Sequence, residues 1–219
     1  MNVDMSLWHL DAPARGHGAG FPSDWVLRWS QAWREREGGG TGITALDLAC
    51  GAGRHLRLLA GDGVAVTGVD RDAAALAGLA GVSGRVELIE ADLEQGPWPL
   101  ADRVFDVVIV TNYLWRPLLP RIVAAVAPGG WLIYETFTDG QQSIGRPARP
   151  EFLLRPGELL TAAAGLRVVA YEDGFLDTGA IAPGDGSVNG RYVQRVAAVR
   201  EKPPAPGAAP GVYPRFPLR

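Results

Sequence analysis

Residues 46–55 decide the fold and read Leu46-Asp47-Leu48-Ala49-Cys50-Gly51-Ala52-Gly53-Arg54-His55. An apolar strand runs into a glycine turn, and the turn runs into a helix. Gly51 and Gly53 let the backbone turn sharply and approach a ligand closely, because no Cβ is in the way. Backbone N–H groups at the start of the following helix offer hydrogen-bond donors. A dinucleotide fingerprint needs a third small residue where Leu56 stands and does not include Asp47, so the stretch indicates a different ligand.

Around this stretch, short apolar runs alternate with helical stretches, which is the pattern of a parallel sheet with helices on its faces. Seven strands are predicted: Thr44–Leu48, Val64–Val69, Val86–Glu90, Val104–Val110, Trp131–Thr136, Leu166–Tyr171 and Tyr192–Arg200. Helices are predicted near Arg54–Leu59, Ala73–Leu79, Pro117–Val126 and Gly157–Ala164. The nearly all-apolar run 105–110 suits a central strand covered on both faces. Only turn material, between residues 184 and 190, separates the last two strands, so we expect them to close the sheet as an antiparallel hairpin.

The chain is expected to divide into three regions: an N-terminal loop with a tryptophan-rich cap helix at 1–40, an α/β domain at 41–202, and a proline-rich tail at 203–219. The cap helix is predicted to start after Ser23, since serine is a good N-cap, and to end before the glycine run at 38–40. It carries large apolar side chains at helical spacing: Trp25, Val26, Trp29 and Trp33. The tail is expected to be extended because of its prolines.

Composition and charge exclude several function classes. The 219 residues carry a formal net charge of −3, and Lys202 is the only lysine, so no basic run offers a footprint for nucleic acid. Cys50 is the only cysteine, and His9, His17 and His55 lack matching spacing, so an internal disulfide and a metal site are not expected. No apolar stretch reaches the roughly 18 residues that a membrane span needs, and no signal peptide is visible. We therefore expect a cytoplasmic protein that is a monomer or a weak homodimer and binds neither nucleic acid nor membrane.

Three further strand ends carry candidate ligand-binding side chains, at the sheet edge where open α/β sheets bind ligands. Asp70 ends the second strand, where a carboxylate can accept hydrogen bonds from both hydroxyls of a ribose. Asp92 follows the third strand and can accept a hydrogen bond from an adenine amino group. Thr111 and Tyr113 follow the central strand, beside the expected position of the ligand's reactive part.

These features occur in a fixed order: Asp-x-x-x-Gly-x-Gly, an acidic end to the second strand, Ala91-Asp92 after the third, and Pro128-Gly129-Gly130 before the fifth. In this order the chain resembles the class I S-adenosylmethionine-dependent methyltransferases over about residues 42–137. The resemblance implies a Rossmann-like α/β sandwich, S-adenosylmethionine as cofactor, and 41–202 as the cofactor-binding methyltransferase domain. Within the family the chain looks closest to small-molecule enzymes of the tellurite-resistance type. Ala49 stands where many members have glycine, and its methyl group is expected to be tolerated beside the methionine moiety.

The resemblance also implies site residues. Those at the cofactor would be Asp47, Ala49, Cys50, Gly51, Gly53, Asp70, Arg71, Asp92, Leu93 and Thr111. Asp70 would bind the ribose diol, and Asp92 with the Leu93 backbone amide would hold the adenine. Tyr113 and Glu135 are expected to be catalytic, and Arg116 and Arg146 to bind the acceptor, a small molecule.

Methyl transfer from a sulfonium mainly needs an aligned acceptor and the exclusion of water, so neither a metal nor a catalytic triad is implied. A base helps only if the acceptor must lose a proton. A catalytically inactive protein that binds S-adenosylmethionine as a sensor or interaction partner is the alternative. A nicotinamide oxidoreductase is disfavoured by Leu56, and a nucleic-acid methyltransferase by Asn112-Tyr113, which lacks the prolines of an Asn-Pro-Pro-Tyr signature.

Overall fold

The computed structural model describes residues 20–35, 39–181, 188–203, 215, 216 and 218. Its strands are β1 Thr44–Leu48, β2 Ala65–Asp70, β3 Val86–Glu90, β4 Phe105–Thr111, β5 Val126–Phe137, β6 Arg167–Ile181 and β7 Val188–Val199. Its α-helices are α1 Asp24–Arg28, α2 Gln31–Arg34, α3 Arg54–Gly61, α4 Ala73–Ala77, α5 Leu119–Ala124 and α6 Glu158–Ala162. Short 3-10 turns occupy Arg116–Leu118, Gln141–Ser143 and Pro150–Phe152. No helix in the described residues is long and apolar enough to cross a membrane.

The seven strands form one sheet in the order β3-β2-β1-β4-β5-β7-β6. The first five are parallel, and β7 runs antiparallel to both β5 and β6. This confirms the predicted α/β class, the mostly parallel seven-stranded sheet and the antiparallel hairpin at its end. The strand order reverses beside β1, so the carboxyl ends of β1, β2, β3 and β4 meet at one edge, where such folds place a ligand crevice.

The strand β4 is central and covered on both faces, as its apolar run predicts. Val107 and Ile109 belong to the apolar cluster on one face of the sheet, and Val108 and Val110 to the cluster on the other. All four side chains are fully buried. This alternation is the geometry of a pleated strand between two helical layers.

The N-terminal segment forms two short helices, so the prediction of a single helix is wrong. Ser23 does cap α1, because its Oγ accepts a hydrogen bond from the Trp25 N–H at 3.2 Å. The first helix ends at Arg28, with Trp29 as its C-cap, and the chain turns before α2 begins at Gln31. In a straight α-helix, side chains four positions apart are rotated by about 40° relative to each other around the helix axis. The turn at Trp29 allows Trp25, Trp29 and Trp33 all to be buried in the same apolar cluster.

Three strands, β5, β6 and β7, differ clearly from prediction in their bounds. Pro128-Gly129-Gly130, expected before the fifth strand, lies inside β5 as a bulge, because Val126 pairs with Phe105 while Trp131 already pairs with Val107. The strands β6 and β7 are longer than predicted, and their hairpin continues past the last pair that β5 makes with β7, Phe137 with Val193. The turn residues 184–186, residues 1–19 and most of the proline-rich tail lie outside the described residues.

Candidate active site

A cavity of about 330 Å³ opens at the carboxyl edge of the sheet, where β1 to β4 end. Its lining residues are Ala49, Cys50, Gly51, Arg54, His55, Asp70, Arg71, Asp72, Ala91, Asp92, Leu93, Glu94, Thr111, Asn112 and Tyr113. The cavity thus brings together most of the predicted site residues: Ala49, Cys50, Gly51, Asp70, Arg71, Asp92, Leu93, Thr111 and Tyr113. The remaining five predicted residues lie outside the lining: Asp47, Gly53, Glu135, Arg116 and Arg146.

The glycine loop is tied to the end of β2. The Cys50 N–H donates to the Val69 carbonyl at 3.1 Å, and the Gly51 N–H donates to Oδ2 of Asp70 at 2.7 Å. Gly53 precedes α3 with a φ of 76°, and a Cβ there would come within 2.6 Å of the Leu79 side chain. Glycine is therefore required at 53 by conformation and by packing, although Gly53 itself does not line the cavity.

Ala49 has a φ of 55°, in the left-handed region that favours glycine. An L-residue with a Cβ pays roughly 1–2 kcal/mol in this conformation. The structure accommodates the alanine, and the backbone strain explains why a glycine suits this position.

The Ala49→Gly variant should be more stable than the wild-type protein by about 0.5–1 kcal/mol, the relief of strain less the entropy that glycine gains in the unfolded chain. Denaturant unfolding measures this difference. Ala52, in the same loop, has no positive φ, so Ala52→Gly is the matched control and should lower stability. If Ala49→Gly were destabilised like Ala52→Gly, the strain assignment would be wrong.

Two carboxylates stand at neighbouring strand ends, each held by backbone donors. Oδ1 of Asp70 accepts from the Asp72 N–H at 3.0 Å. Oδ1 of Asp92 accepts from the N–H groups of Glu94 at 2.9 Å and Gln95 at 3.1 Å. These backbone donors hold the pKa of Asp92 below its ordinary value. Both carboxylates have lone pairs to spare for the hydroxyl and amino groups of a nucleoside.

Asp47 lies beneath the glycine loop, fully buried in β1. One carboxylate oxygen accepts from the Leu56 N–H, while Oδ2 has no partner in the described structure. Burial raises the pKa of Asp47 to about 7. The residue supports the start of α3 from below and does not line the cavity.

His55 joins the cavity to the N-terminal segment. Its Nε2 accepts from the Ser23 N–H at 3.0 Å, so the ring proton belongs on Nδ1, which lies 3.4 Å from Oγ1 of Thr111. Burial lowers the pKa of His55 to about 3, and the ring is therefore neutral. His55 was not among the predicted site residues. Its spacing could have indicated that it is buried, because it lies four residues before the buried Leu59 on the apolar face of α3.

Glu135 is fully buried near the end of β5, outside the cavity lining. Oε1 accepts from Oγ of Ser23 and from Nη2 of Arg191, both at 3.0 Å, and Oε2 lies 3.5 Å from Nη1 of Arg195. Arg195 also pairs with Glu172 on β6. Because both oxygens are engaged, this carboxylate holds the N-terminal segment and β7 in place.

Arg116 forms an ion pair with Glu158 on α6 and does not line the cavity. Its Nε and Nη2 contact the two carboxylate oxygens of Glu158 at 2.7 and 2.9 Å. Its remaining contacts reach the carbonyls of Glu151 at 2.9 Å and Leu153 at 2.7 Å. Arg146 is exposed on the connection after β5, away from the lining. Neither arginine is placed to contact a ligand in the cavity, contrary to the expectation from sequence.

Tyr113 follows β4 and belongs to the cavity lining. Its carbonyl accepts from the Tyr134 hydroxyl at 2.8 Å, which fixes the backbone there. Its own hydroxyl is buried and has no partner among the described residues. Burial, with the nearby Glu94 and Asp92, raises the pKa of Tyr113, so the phenol stays protonated and can donate a hydrogen bond.

Solved structures with this fold include three methyltransferases or related proteins. TehB from Haemophilus influenzae has a TM-score of 0.57 and 18% identity, over 73% of this chain and 58% of that chain, so our chain spans less than two thirds of it. An S-adenosylmethionine-dependent methyltransferase from Mesorhizobium loti has a TM-score of 0.54 and 20% identity, over 74% and 92%. The N-methyltransferase NodS from Bradyrhizobium japonicum WM9 has a TM-score of 0.55 and 15% identity, over 74% and 88%. No curated protein matches the sequence.

The sequence itself matches a family model. Residues 45–130 match the model described as a methyltransferase domain, and this range runs from β1 through the bulge at the start of β5. The matched range contains every residue that lines the cavity. Residues 45–130 therefore match a methyltransferase domain, and the chain has the fold of the solved methyltransferases named above.

Proposed function

We propose that this protein is a class I S-adenosylmethionine-dependent methyltransferase that transfers the methyl group of that cofactor to a small-molecule acceptor by in-line displacement. The observation that carries this proposal is the charge of the cavity. Four carboxylates line it (Asp70, Asp72, Asp92 and Glu94) against two arginines (Arg54 and Arg71). A net negative cavity of about 330 Å³ attracts a cationic sulfonium and repels the phosphates of a nucleic acid. A compact, uncharged or modestly charged acceptor fits this site.

The residues present suit the cofactor. The Asp70 and Asp92 carboxylates are hydrogen-bond acceptors, as the ribose hydroxyls and the adenine amino group require. We assign Asp70 to the ribose diol and Asp92, with the Leu93 backbone, to the adenine. The loop around Ala49 and Gly51 would border the methionine part, with Cys50 beside it and Thr111 close to the sulfonium. The cofactor supplies an electrophilic methyl group, and the chain's task is to align the acceptor with it and to exclude water.

On the acceptor side we assign Tyr113, a residue of the cavity lining whose buried, protonated hydroxyl has no partner among the described residues. Glu135 was expected to be catalytic, but its engaged oxygens make it a positioning residue here. We do not assign Arg116 and Arg146 to the acceptor site, because neither lines the cavity. The cytoplasmic location and the monomeric or weakly dimeric state stay predictions.

The acceptor class is tested with labelled S-adenosylmethionine and a cell extract separated by size. The proposal expects label in the small-molecule fraction, formed by the wild-type enzyme and not by a heat-inactivated sample. Label confined to nucleic acid or protein would contradict it.

Replacing Asp70 by alanine should weaken binding of S-adenosylhomocysteine roughly 10- to 150-fold, since losing hydrogen bonds to a charged acceptor costs about 1.5–3 kcal/mol. Titration calorimetry measures the dissociation constant. Glu90 pairs with Asp70 in the β2–β3 register, is exposed and lies outside the lining, so Glu90→Gln is the matched control. An unchanged dissociation constant in Asp70→Ala would reject the ribose assignment.

A further inference from the structure

We propose that Asn112 binds the acceptor and selects an uncharged polar one, an inference that rests on the proposed function. Asn112 directly follows β4 and belongs to the cavity lining. The residue is exposed, and its side-chain amide makes no hydrogen bond to any described residue. An amide has an acceptor oxygen and two donor hydrogens, so its full hydrogen-bonding capacity is left for a ligand.

The backbone conformation of Asn112 would suit glycine better. Its φ is 54°, in the left-handed region that glycine adopts without a steric penalty and that asparagine tolerates. No hydrogen bond of the side chain within the described structure favours asparagine over glycine at this position. Residues other than glycine that are held in this region cluster at active sites and ligand-binding loops. A ligand in the cavity therefore gives the amide a role that folding does not.

The backbone that carries this amide is held in place from both sides. The Asn112 N–H donates to the Glu135 carbonyl at 2.9 Å, and the Tyr113 carbonyl accepts from the Tyr134 hydroxyl at 2.8 Å. Both partners lie on β5. Because the turn is already fixed, little conformational entropy is lost when the amide binds a ligand.

Asn112 lies on the side of the cavity that the acceptor must approach. Asp70 and Asp92, which we assign to the nucleoside, follow β2 and β3, on one side of β1. Asn112 follows β4, on the other side of β1, and its backbone bonds to β5. A cofactor with its nucleoside at β2 and β3 directs its sulfonium toward β4. The acceptor then meets the methyl group beside Asn112.

The neighbours of Asn112 in the chain are also uncharged hydrogen-bonding residues of the lining, Thr111 and Tyr113. Burial raises the pKa of Tyr113, so its phenol stays protonated. Arg54 contacts this row only through Oγ1 of Thr111, at 3.5 Å. A site built to hydrogen-bond a polar group strongly rejects an analogue without that group, because the polar atoms of the site are then unpaired. The acceptor class that fits is an uncharged molecule with a hydroxyl, amino or amide group near the atom that is methylated.

The test uses labelled S-adenosylmethionine and a small-molecule extract that ion exchange has split into uncharged, anionic and cationic fractions before the reaction. The wild-type protein should label the uncharged fraction. Asn112→Gly should lower this labelling roughly tenfold or more, because the hydrogen bonds to the acceptor are lost. The dissociation constant of S-adenosylhomocysteine should stay unchanged, and the midpoint of denaturant unfolding should not fall, since glycine adopts the φ of this position readily.

Ala101→Gly is the matched control. Ala101 also has a positive φ, 47°, and is exposed, but it lies outside the cavity lining, so its labelling should equal that of the wild-type protein. Asn112→Asp keeps the size of the side chain and tolerates the same φ. It replaces the donor by a charged oxygen, so it should lose labelling as Asn112→Gly does.

Three results would overturn the proposal while the proposed function stands. They are full labelling by Asn112→Gly or Asn112→Asp, label in the charged fractions alone, and a loss of S-adenosylhomocysteine affinity in Asn112→Gly as large as the loss of labelling. Failure of the proposed function looks different, because the wild-type protein would then label no small-molecule fraction, and the role of Asn112 would fall with it.

Discussion

Replacing Glu135 by glutamine should lower the free energy of unfolding by about 3 kcal/mol, because breaking a buried ion pair leaves charges without their partner. Glu135 is fully buried and compensates Arg191 and Arg195, whose side chains are 25% and 12% exposed. Glutamine keeps the shape and the hydrogen bond from Ser23 but removes the negative charge. Denaturant unfolding at neutral pH measures the loss.

The matched control is Glu172→Gln in the same cross-strand row. In the strand register Arg195 stands between Glu135 on β5 and Glu172 on β6. The Glu172 side chain is 39% exposed, so its ion pairs should contribute less than about 1 kcal/mol. Equal and small losses in both variants would show that the Glu135 ion pairs are no stronger than surface pairs.

Replacing Asp47 by asparagine should remove a pH-dependent loss of stability that reaches up to about 4 kcal/mol. Burial raises the pKa of Asp47 from 3.8 to about 7. Below pH about 4 the group is protonated in both states, so it costs nothing. Between about pH 4 and pH 7 the unfolded chain releases the proton and the folded chain keeps it, so stability falls as pH rises. Above the folded pKa the penalty stays constant.

The measurement compares the free energies of unfolding of Asp47→Asn and the wild-type protein from about pH 4 to pH 8. The difference should grow in favour of the variant across this range. Asp102 is exposed, and Asp102→Asn is the matched control, whose difference from the wild-type protein should stay flat. A flat difference for Asp47→Asn as well would mean that Asp47 loses no solvation on folding.

Sequence reasoning predicts correctly that several candidate side chains meet at one edge of the sheet. Asp70, Asp92 and Thr111 each follow an apolar strand, and parallel strands bring their carboxyl ends to one edge. The convergence of these side chains therefore follows from local patterns and one topological rule. The backbone of the loop has a positive φ at residues 51 and 53, which favours glycine. Both residues are glycines, so the sequence itself indicates this turn.

The contacts of Glu135 and Arg116 could not be predicted in the same way. Glu135 and Arg116 look available in the sequence, but Arg191 and Arg195 lie more than 50 residues from Glu135, and Glu158 lies far from Arg116. Their pairing depends on the β5–β7 register and on the path of a long connection, which no local pattern specifies. The break between α1 and α2, which accompanies the burial of Trp25, Trp29 and Trp33 in one apolar cluster, is likewise not specified by a local pattern.

Ser23 gives the N-terminal segment a structural link to the cavity. Its backbone and hydroxyl bind His55 and Glu135, and His55 in turn contacts Thr111 in the cavity wall. Linkage between two binding events is reciprocal. If the cofactor binds more tightly when the N-terminal segment is docked, a bound cofactor stabilises the docked segment by the same free energy.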